Sequence, residues 1–332
     1  MEVGVLNIIQ TSCLGENEIE KPFKRIELDE IEQFSKHTIW ITYRKNMPPI
    51  KDKTADAGWG CMIRSLQMIL AQTFVTLILG NNWKYDSHPF EIERNLFHIK
   101  SIINLFGDSP GCLLSIHRLC AKASLKGINE GQWWGPSFAS EIAVEHLNEI
   151  HPFNTRAYIA KIGRIISTEI EEIAIEDKIF RPCIIFVPLR LGPQNAEPEF
   201  KSLLKDIFDI PQCMGMIGGE PGFAHFFHTY DGERLYFLDP HVTQSCVNMK
   251  KEWSIKTYFV EGLISIVYEK LDPSVSLVFL VKNLTDWNNF KSCLETNKFS
   301  KLFSLRTEKD ENTVNYDDFL SIDSDFEFSD ED

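Results

Sequence analysis

One cysteine in this chain stands where a side chain can become nucleophilic. Cys61 follows Asp56-Ala57-Gly58-Trp59-Gly60 and opens an apolar run that fits a helix from Cys61 to about Leu79. A helix N-terminus presents unpaired N–H groups and partial positive charge, and both favour thiolate over thiol. Gly58 and Gly60 can take backbone angles that other residues avoid, so the turn can be sharp and the sulfur reachable. The same pattern also fits a cysteine buried only for packing. The choice between the two readings needs a base elsewhere in the chain.

Nine histidines are available, and most sit in helical patterns or beside proline. His225 and His228 lie three apart in a strand-like run, which puts them on opposite faces and makes a shared metal unfavourable. His241 is different. It follows Leu235-Tyr236-Phe237-Leu238-Asp239-Pro240, an apolar strand ending in an acid. In extended backbone residues i and i+2 point the same way, so Asp239 and His241 can project into one cleft. Pro240 between them keeps Asp239 extended. A carboxylate beside an imidazole fixes its tautomer and stabilises imidazolium, which in turn stabilises a thiolate. Cys61, His241 and Asp239 together make a cysteine-hydrolase constellation, whereas Asp-Pro-His alone would be a weak signal.

The elements that must position these groups follow from periodicity. Helical spacing marks residues 24–37, Pro89–Phe106, Cys112–Ala123, a helix capped by Ser137 and running to about Ile150, and residues 163–177, 199–208 and 284–296. In the cysteine helix, Met62, Leu66, Ile69, Leu70 and Thr73 recur on one face. Ile39–Lys45 is read as a short strand or extended segment, entering a proline loop at Met47-Pro48-Pro49-Ile50. Ala157–Ile159, Pro182–Leu191, Met214–Ile217, Gly222–Tyr230, Arg234–Leu238 and Ser276–Val281 have the branched and aromatic character of strands. A mostly helical first half and a mostly strand second half give an α+β class, a helical lobe packed on an antiparallel sheet. A glycine-flanked loop, Gly131-Gln132-Trp133-Trp134-Gly135-Pro136, sits between them. Its adjacent tryptophans fit either two core plugs or one ring inward and one over a groove.

Bulk properties narrow the function classes. The chain has 332 residues, 43% hydrophobic and 25% charged, with a net charge of -14. That balance belongs to an ordinary globular protein and argues against nucleic acid as a partner. Eight scattered cysteines with no C-x-x-C pair argue against a zinc framework or disulfide scaffold. No metal and no cofactor is expected. The start, Met1-Glu2-Val3-Gly4, lacks signal-peptide character, and the most apolar run, Met68–Gly80, is too short to span a bilayer. A reduced, cytoplasmic setting is expected.

Five ordered blocks resemble one known family. They are Thr42-Tyr43-Arg44-Lys45-Asn46, Asp56-Ala57-Gly58-Trp59-Gly60-Cys61-Met62, Gly131-Gln132-Trp133-Trp134-Gly135-Pro136, Ile217-Gly218-Gly219 and Leu238-Asp239-Pro240-His241. They resemble the signatures of the autophagins, autophagy cysteine proteases of papain-like fold, over roughly residues 39–245. The resemblance implies cleavage of the C-terminal extension of a ubiquitin-like autophagy modifier after glycine. It also implies release of that modifier from phosphatidylethanolamine, with a transient membrane contact through the lipidated substrate. By motif position Cys61 is then the nucleophile, His241 the general base and acid, Asp239 the orienting acid and Tyr43 an oxyanion donor. Trp133 would cover a narrow substrate entrance, with Gly218, Gly219, Glu220 and Pro221 as the loop that lifts with it. Met47, Trp134, Glu220 and Gly222 depart from the usual family residues. A different thiol hydrolase or acyl transferase, or a catalytically dead adaptor, are the alternative readings.

Residues 1–305 are expected to form the protease domain, with a small auxiliary subdomain within about 150–210. Residues 306–332 form an acidic tail, in which eleven acids face only Arg306 and Lys309. Phe319 and Ile322, three apart and preceded by acids, suit strand addition to a partner's sheet edge. They resemble the motif that binds autophagy modifiers.

Overall fold

The computed structural model describes residues 28–81, 83, 89–260, 262–295 and 298–308. In chain order the helices are α1 (Leu28–His37), α2 (Cys61–Leu79), α3 (Pro89–Leu105), α4 (Ile116–Leu125), α5 (Pro136–Ile150), α6 (Ser167–Ala174), α7 (Lys201–Phe208) and α8 (Leu284–Leu294). The strands are β1 (Arg44–Ile50), β2 (Lys53–Ala55), β3 (Arg156–Ile159), β4 (Arg164–Ile166), β5 (Ile175–Glu176), β6 (Ile179–Phe180) and β7 (Cys183–Arg190). They continue with β8 (Cys213–Glu220), β9 (Phe223–Tyr230), β10 (Arg234–Leu238), β11 (Gln244–Ser245), β12 (Ile264–Val267), β13 (Ser274–Val281) and β14 (Ser304–Arg306). The class is α+β.

Seven strands build the central sheet in the order β12-β10-β9-β8-β13-β7-β3. All neighbours are antiparallel except β3 and β7. Alternation along the strands sends Phe186, Phe226 and Val278 to one face and Val187, Phe227 and Phe279 to the other. The first face packs on α2 and α5, the second on α6, α7 and α8. Each large apolar side chain buried in these layers contributes about 1.5–3 kcal/mol. The first layer matters most here, because α2 carries Cys61.

Helix α2 differs from the one-faced helix expected. Every residue from Cys61 through Thr76 is buried, so it is a central helix wrapped on all sides rather than a surface helix with a stripe. Its 19 residues are long and apolar enough to cross a membrane by length and composition, contrary to the expectation from the shorter run. The fold itself buries 83% of the apolar window, which accounts for that composition. Ser137 does not cap α5: Gly135 occupies the N-cap without a side-chain bond, and Pro136 takes the first helical turn.

The segment expected as a strand over 39–45 divides in two. Ile39–Tyr43 is stitched to separate loops, with the Trp40 N–H donating to Tyr258 O at 2.8 Å and the Tyr43 N–H to Pro240 O at 2.9 Å. The ladder begins only at Arg44 and runs through the prolines to Ile50, paired with β2 and, in parallel, with β11. Pro48 and Pro49 are tolerated because β1–β2 pairing is broken between Lys45 and Ile50. This small sheet β11-β1-β2 ties the chain after His241 to the strand entering the cysteine turn.

Candidate active site

The cysteine turn is shaped by Asp56. Gly58 adopts a left-handed φ of 86°, and a Cβ on Gly60 would lie 2.5 Å from Asp56 Oδ2. Both glycines are therefore required, one by backbone angle and one by a neighbouring carboxylate. Gly60 is the N-cap of α2 with no side-chain cap, which leaves the first N–H groups of the helix directed at the Cys61 region.

Asp56 is buried and accepts from the Arg44 N–H at 2.6 Å and from Arg64 Nε at 2.7 Å. Arg64 also reaches Asp108 at 2.8 Å and Gln67 at 3.0 Å, while Arg44 lies over the Tyr258 ring. One carboxylate thus locks the cysteine turn to the strand that follows Tyr43. Burial opposes the Arg64 charge, but Asp56 and Asp108 hold it on. Asp56→Ala is expected to cost about 3–5 kcal/mol, because it removes one of the two carboxylates that hold the buried Arg64 guanidinium and leaves the buried Arg44 N–H without its acceptor. Asp56→Asn, which keeps an acceptor for Arg44, should cost less. Denaturant unfolding reads both, and a loss below about 1 kcal/mol for the alanine variant would contradict this role.

Asp239 and His241 meet as the sequence spacing predicts. His241 Nδ1 lies 2.5 Å from Asp239 Oδ1, and the His241 N–H donates to the same oxygen at 3.0 Å. The Asp239 carbonyl accepts from Trp40 Nε1 at 2.7 Å, which pins the backbone beneath the carboxylate. Burial pushes Asp239 up, but the His241 bonds and the nearby His225 outweigh it and hold the carboxyl below its usual range. Burial likewise disfavours charge on His241, yet Asp239 and then the Cys61 thiolate raise it to about 9.

The other side of the ring, at Nε2, is left for the cysteine. Burial alone would raise the Cys61 thiol; hydrogen bonds from His241, the Ala224 N–H and Tyr43 reverse this and hold it below the usual value. Tyr43 is driven the other way, first by burial and then by the neighbouring thiolate, so its hydroxyl stays protonated as a donor. Cys61, His241, Asp239 and Tyr43 therefore converge from α2, the loop after β10 and the segment before β1. Among the described cysteines Cys61 is the one whose thiol is shifted down; Cys120, Cys183 and Cys213 are pushed up to about 12 by burial. All seven described cysteines are free thiols.

The hairpin β8–β9 hangs over this group. Its tip, Pro221-Gly222, turns with φ 81° at Gly222, and Glu220 pairs with Phe223. A Cβ on Gly219 would lie 1.8 Å from the Phe223 carbonyl oxygen, and one on Gly218 would lie 2.8 Å from Val275. The paired glycines let the two strands close tightly at this end. Phe223, 56% exposed, packs its ring edge against His241 at 5.2 Å between centroids. Trp133 is 43% exposed while its neighbour Trp134 is buried against Phe138, so the pair divides into one outward and one inward ring. The Trp133 loop packs on the approach to the cysteine turn: Lys53 of β2 fills the space at Gly131, and Lys51 reaches Asn129 and Glu130.

Two contributors escaped the sequence reading. Trp40 holds Asp239 from a segment that looks like any extended apolar run. His225, whose strand parity with His228 argues against a shared site, has its Nδ1 3.7 Å from Asp239 Oδ1 and its ring 5.5 Å from that of His241. His228, as expected, points elsewhere, to Ser35 at 2.9 Å. Phe319 and Ile322 lie outside the described residues.

Comparison with known proteins fits this geometry. A family model described as the peptidase C54 catalytic domain matches residues 28–293. The chain belongs to the peptidase C54 family. It is 30% identical over 289 residues to the cysteine protease ATG4A of Xenopus laevis, covering 77% of this chain and 72% of that protein. It is 31% identical over 304 residues to the cysteine protease ATG4B of Gallus gallus, covering 79% and 74%. The probable cysteine protease atg4 of Aspergillus oryzae is 31% identical over 296 residues, covering 76% and 69%. As a peptidase C54 member with a papain-like fold, the chain is a cysteine-type peptidase of the autophagy pathway.

Proposed function

We propose that this peptidase cuts the C-terminal extension from a ubiquitin-like autophagy modifier after glycine, and releases the lipid-conjugated form from phosphatidylethanolamine. The Cys61 thiolate attacks the glycine carbonyl. Tyr43 and the Cys61 N–H receive the developing oxyanion. His241, held by Asp239, protonates the leaving amine and then activates water against the thioester. The observation that carries this reading is the buried Cys61 thiol, which His241, the Ala224 N–H and Tyr43 hold below its usual value against the cost of burial. Trp133 and the Gly218–Pro221 tip act as the gate: exposed rings and a tight hairpin beside the sulfur favour a tail with no side chain. The work takes place in the cytoplasm, with brief contact with the membrane bearing the lipidated substrate. The division into a protease domain to residue 305, an auxiliary subdomain within about 150–210 and a tail from 306 belongs to the same proposal.

The deciding experiment incubates the protein in reducing buffer with a modifier carrying a C-terminal extension. Cleavage after glycine is expected, and replacing that glycine with valine should slow it by about tenfold or more, the penalty for a side chain the gate cannot admit. No cleavage of the glycine substrate would overturn the proposal. Modifier coupled to phosphatidylethanolamine in vesicles tests the second reaction in the same way.

The tail adds a tether in this scheme. Phe319 and Ile322 would dock on a modifier's sheet edge and raise the local substrate concentration without touching the chemistry. Deleting residues 316–332 should weaken modifier binding about tenfold and leave the hydrolysis of a short active-site probe unchanged. Unchanged modifier binding would remove the tether.

A further inference from the structure

We propose that His225, Asp239 and His241 form a binding site for a borderline divalent transition-metal ion, Zn2+ being the type case, and that its binding reversibly inactivates the peptidase. The inhibitory half rests on the roles proposed above for Asp239 and His241; the binding half does not.

The case starts from an orphaned donor. His225 is 4% exposed, and its Nδ1 is buried without a hydrogen-bond partner among the described residues. Such an atom needs an explanation, since an unmade bond at a buried polar group carries a free-energy penalty. The Nδ1 aims at Asp239 Oδ1 at 3.7 Å, beyond hydrogen-bond length but near the spacing two donors adopt on one ion. Tetrahedral zinc, with bonds of about 2.0–2.2 Å, sets its donors roughly 3.4 Å apart. One donor atom from each of His225, Asp239 and His241 falls within 4.8 Å of the other two. The ring of His225 is held against Phe237 at 4.2 Å and edge-on to Phe227 at 6.0 Å, so the donor is aimed by packing rather than free to swing.

The donor set also fixes the class of ion. Two imidazoles and one carboxylate suit Zn2+ and its neighbours, not Mg2+ or Ca2+, which take oxygen ligands. Asp239 and His241 remain partly open to solvent, which leaves an entry path that His225 alone lacks. Their 2.5 Å contact must open by about 1 Å for the ion to enter. In that exchange the N–H···O bond between His241 Nδ1 and Asp239 breaks, the Nδ1 proton leaves to solvent, and nitrogen and carboxylate each bind the ion. With Nδ1 metallated, neutral imidazole carries its remaining proton on Nε2, so it can no longer take a proton at the atom that faces Cys61. The orienting carboxylate is engaged at the same moment.

The test uses the full chain with Cys61→Ala, which removes the active-site thiol as a competing ligand. Zn2+ is titrated by competition with a chromophoric chelator, and Co2+ serves as the spectroscopic probe. One ion per chain is expected at this site, giving Co2+ ligand-field absorption without the thiolate charge-transfer band that cysteine ligation would add. Adding His225→Gln should weaken that binding at least tenfold, and Asp239→Asn should do the same should the glutamine variant fail to fold. In the enzyme with Cys61 intact, Zn2+ should inhibit probe hydrolysis, a chelator should restore it, and His225→Gln should raise the inhibitory concentration at least tenfold relative to its own uninhibited rate. Equal Zn2+ affinity with and without His225, or a Co2+ spectrum dominated by thiolate charge transfer, overturns the site. Binding without inhibition overturns the inhibitory half alone and directs doubt to the triad assignment.

Discussion

Cys61→Ala is expected to lower modifier cleavage by about 10^4-fold or more while leaving modifier binding within about twofold. No other described thiol can substitute, since the shifts at Cys112, Cys120, Cys183, Cys213, Cys246 and Cys293 are all upward. What survives is the stabilisation that Tyr43 and the helix N–H groups give to direct attack by water, which is small. The variant should fold normally, because alanine suits the first turn of α2 and the cavity left by one sulfur is minor. His241 provides an internal check. Cys61 is one of two partners that raise its pKa, Asp239 being the first, so the ring should titrate below the parent's value of about 9 yet stay raised. Ring-proton NMR against pH measures this directly. An unchanged His241 titration, together with retained cleavage, would mean that sulfur and imidazole do not form a pair.

Much of this site was legible because its parts are local. The bounds of α2, Cys61–Leu79, follow from a glycine turn at one end and Gly80 at the other. Asp239 and His241 meet through a two-residue spacing that extended backbone fixes by itself. The strand before them, Arg234–Leu238, is equally local and matches its sequence pattern residue for residue. What sequence could not supply is long-range pairing. Trp40 reaches Asp239 across 199 residues, and nothing in Ile39-Trp40-Ile41 distinguishes that bond from core packing. The β1 boundary slipped for the same reason, since Tyr43 spends its N–H on Pro240 rather than on a ladder. Strand parity relative to His228 does not reveal the meaningful neighbour of His225, which is Asp239, just past the end of the adjoining β10. Short pairings such as β4 with β14 carry no periodic signal at all, being three residues long.

Asp239→Ala should reduce kcat by about 10^2- to 10^4-fold with little change in KM, since it removes orientation and charge support rather than substrate contact. The pH profile separates this from general damage. The competent state pairs a Cys61 thiolate with a His241 imidazolium, so activity is lost at low pH as the thiolate takes a proton, and at high pH as imidazolium loses one. In the parent, His241 sets the alkaline limb near 9. Asp239 is the first of the groups that raise it against burial, so in the variant this limb should move to lower pH. Stability should follow the same sign. A raised imidazole contributes in full below its unfolded value of about 6.5, and that contribution fades as pH rises through about 9. The stability gap between parent and variant is therefore widest in mild acid and narrows above pH 9. An alkaline limb that stays near 9 in the variant would take the orienting role from Asp239 and give it to another neighbour of His241, with His225 the nearest imidazole to test.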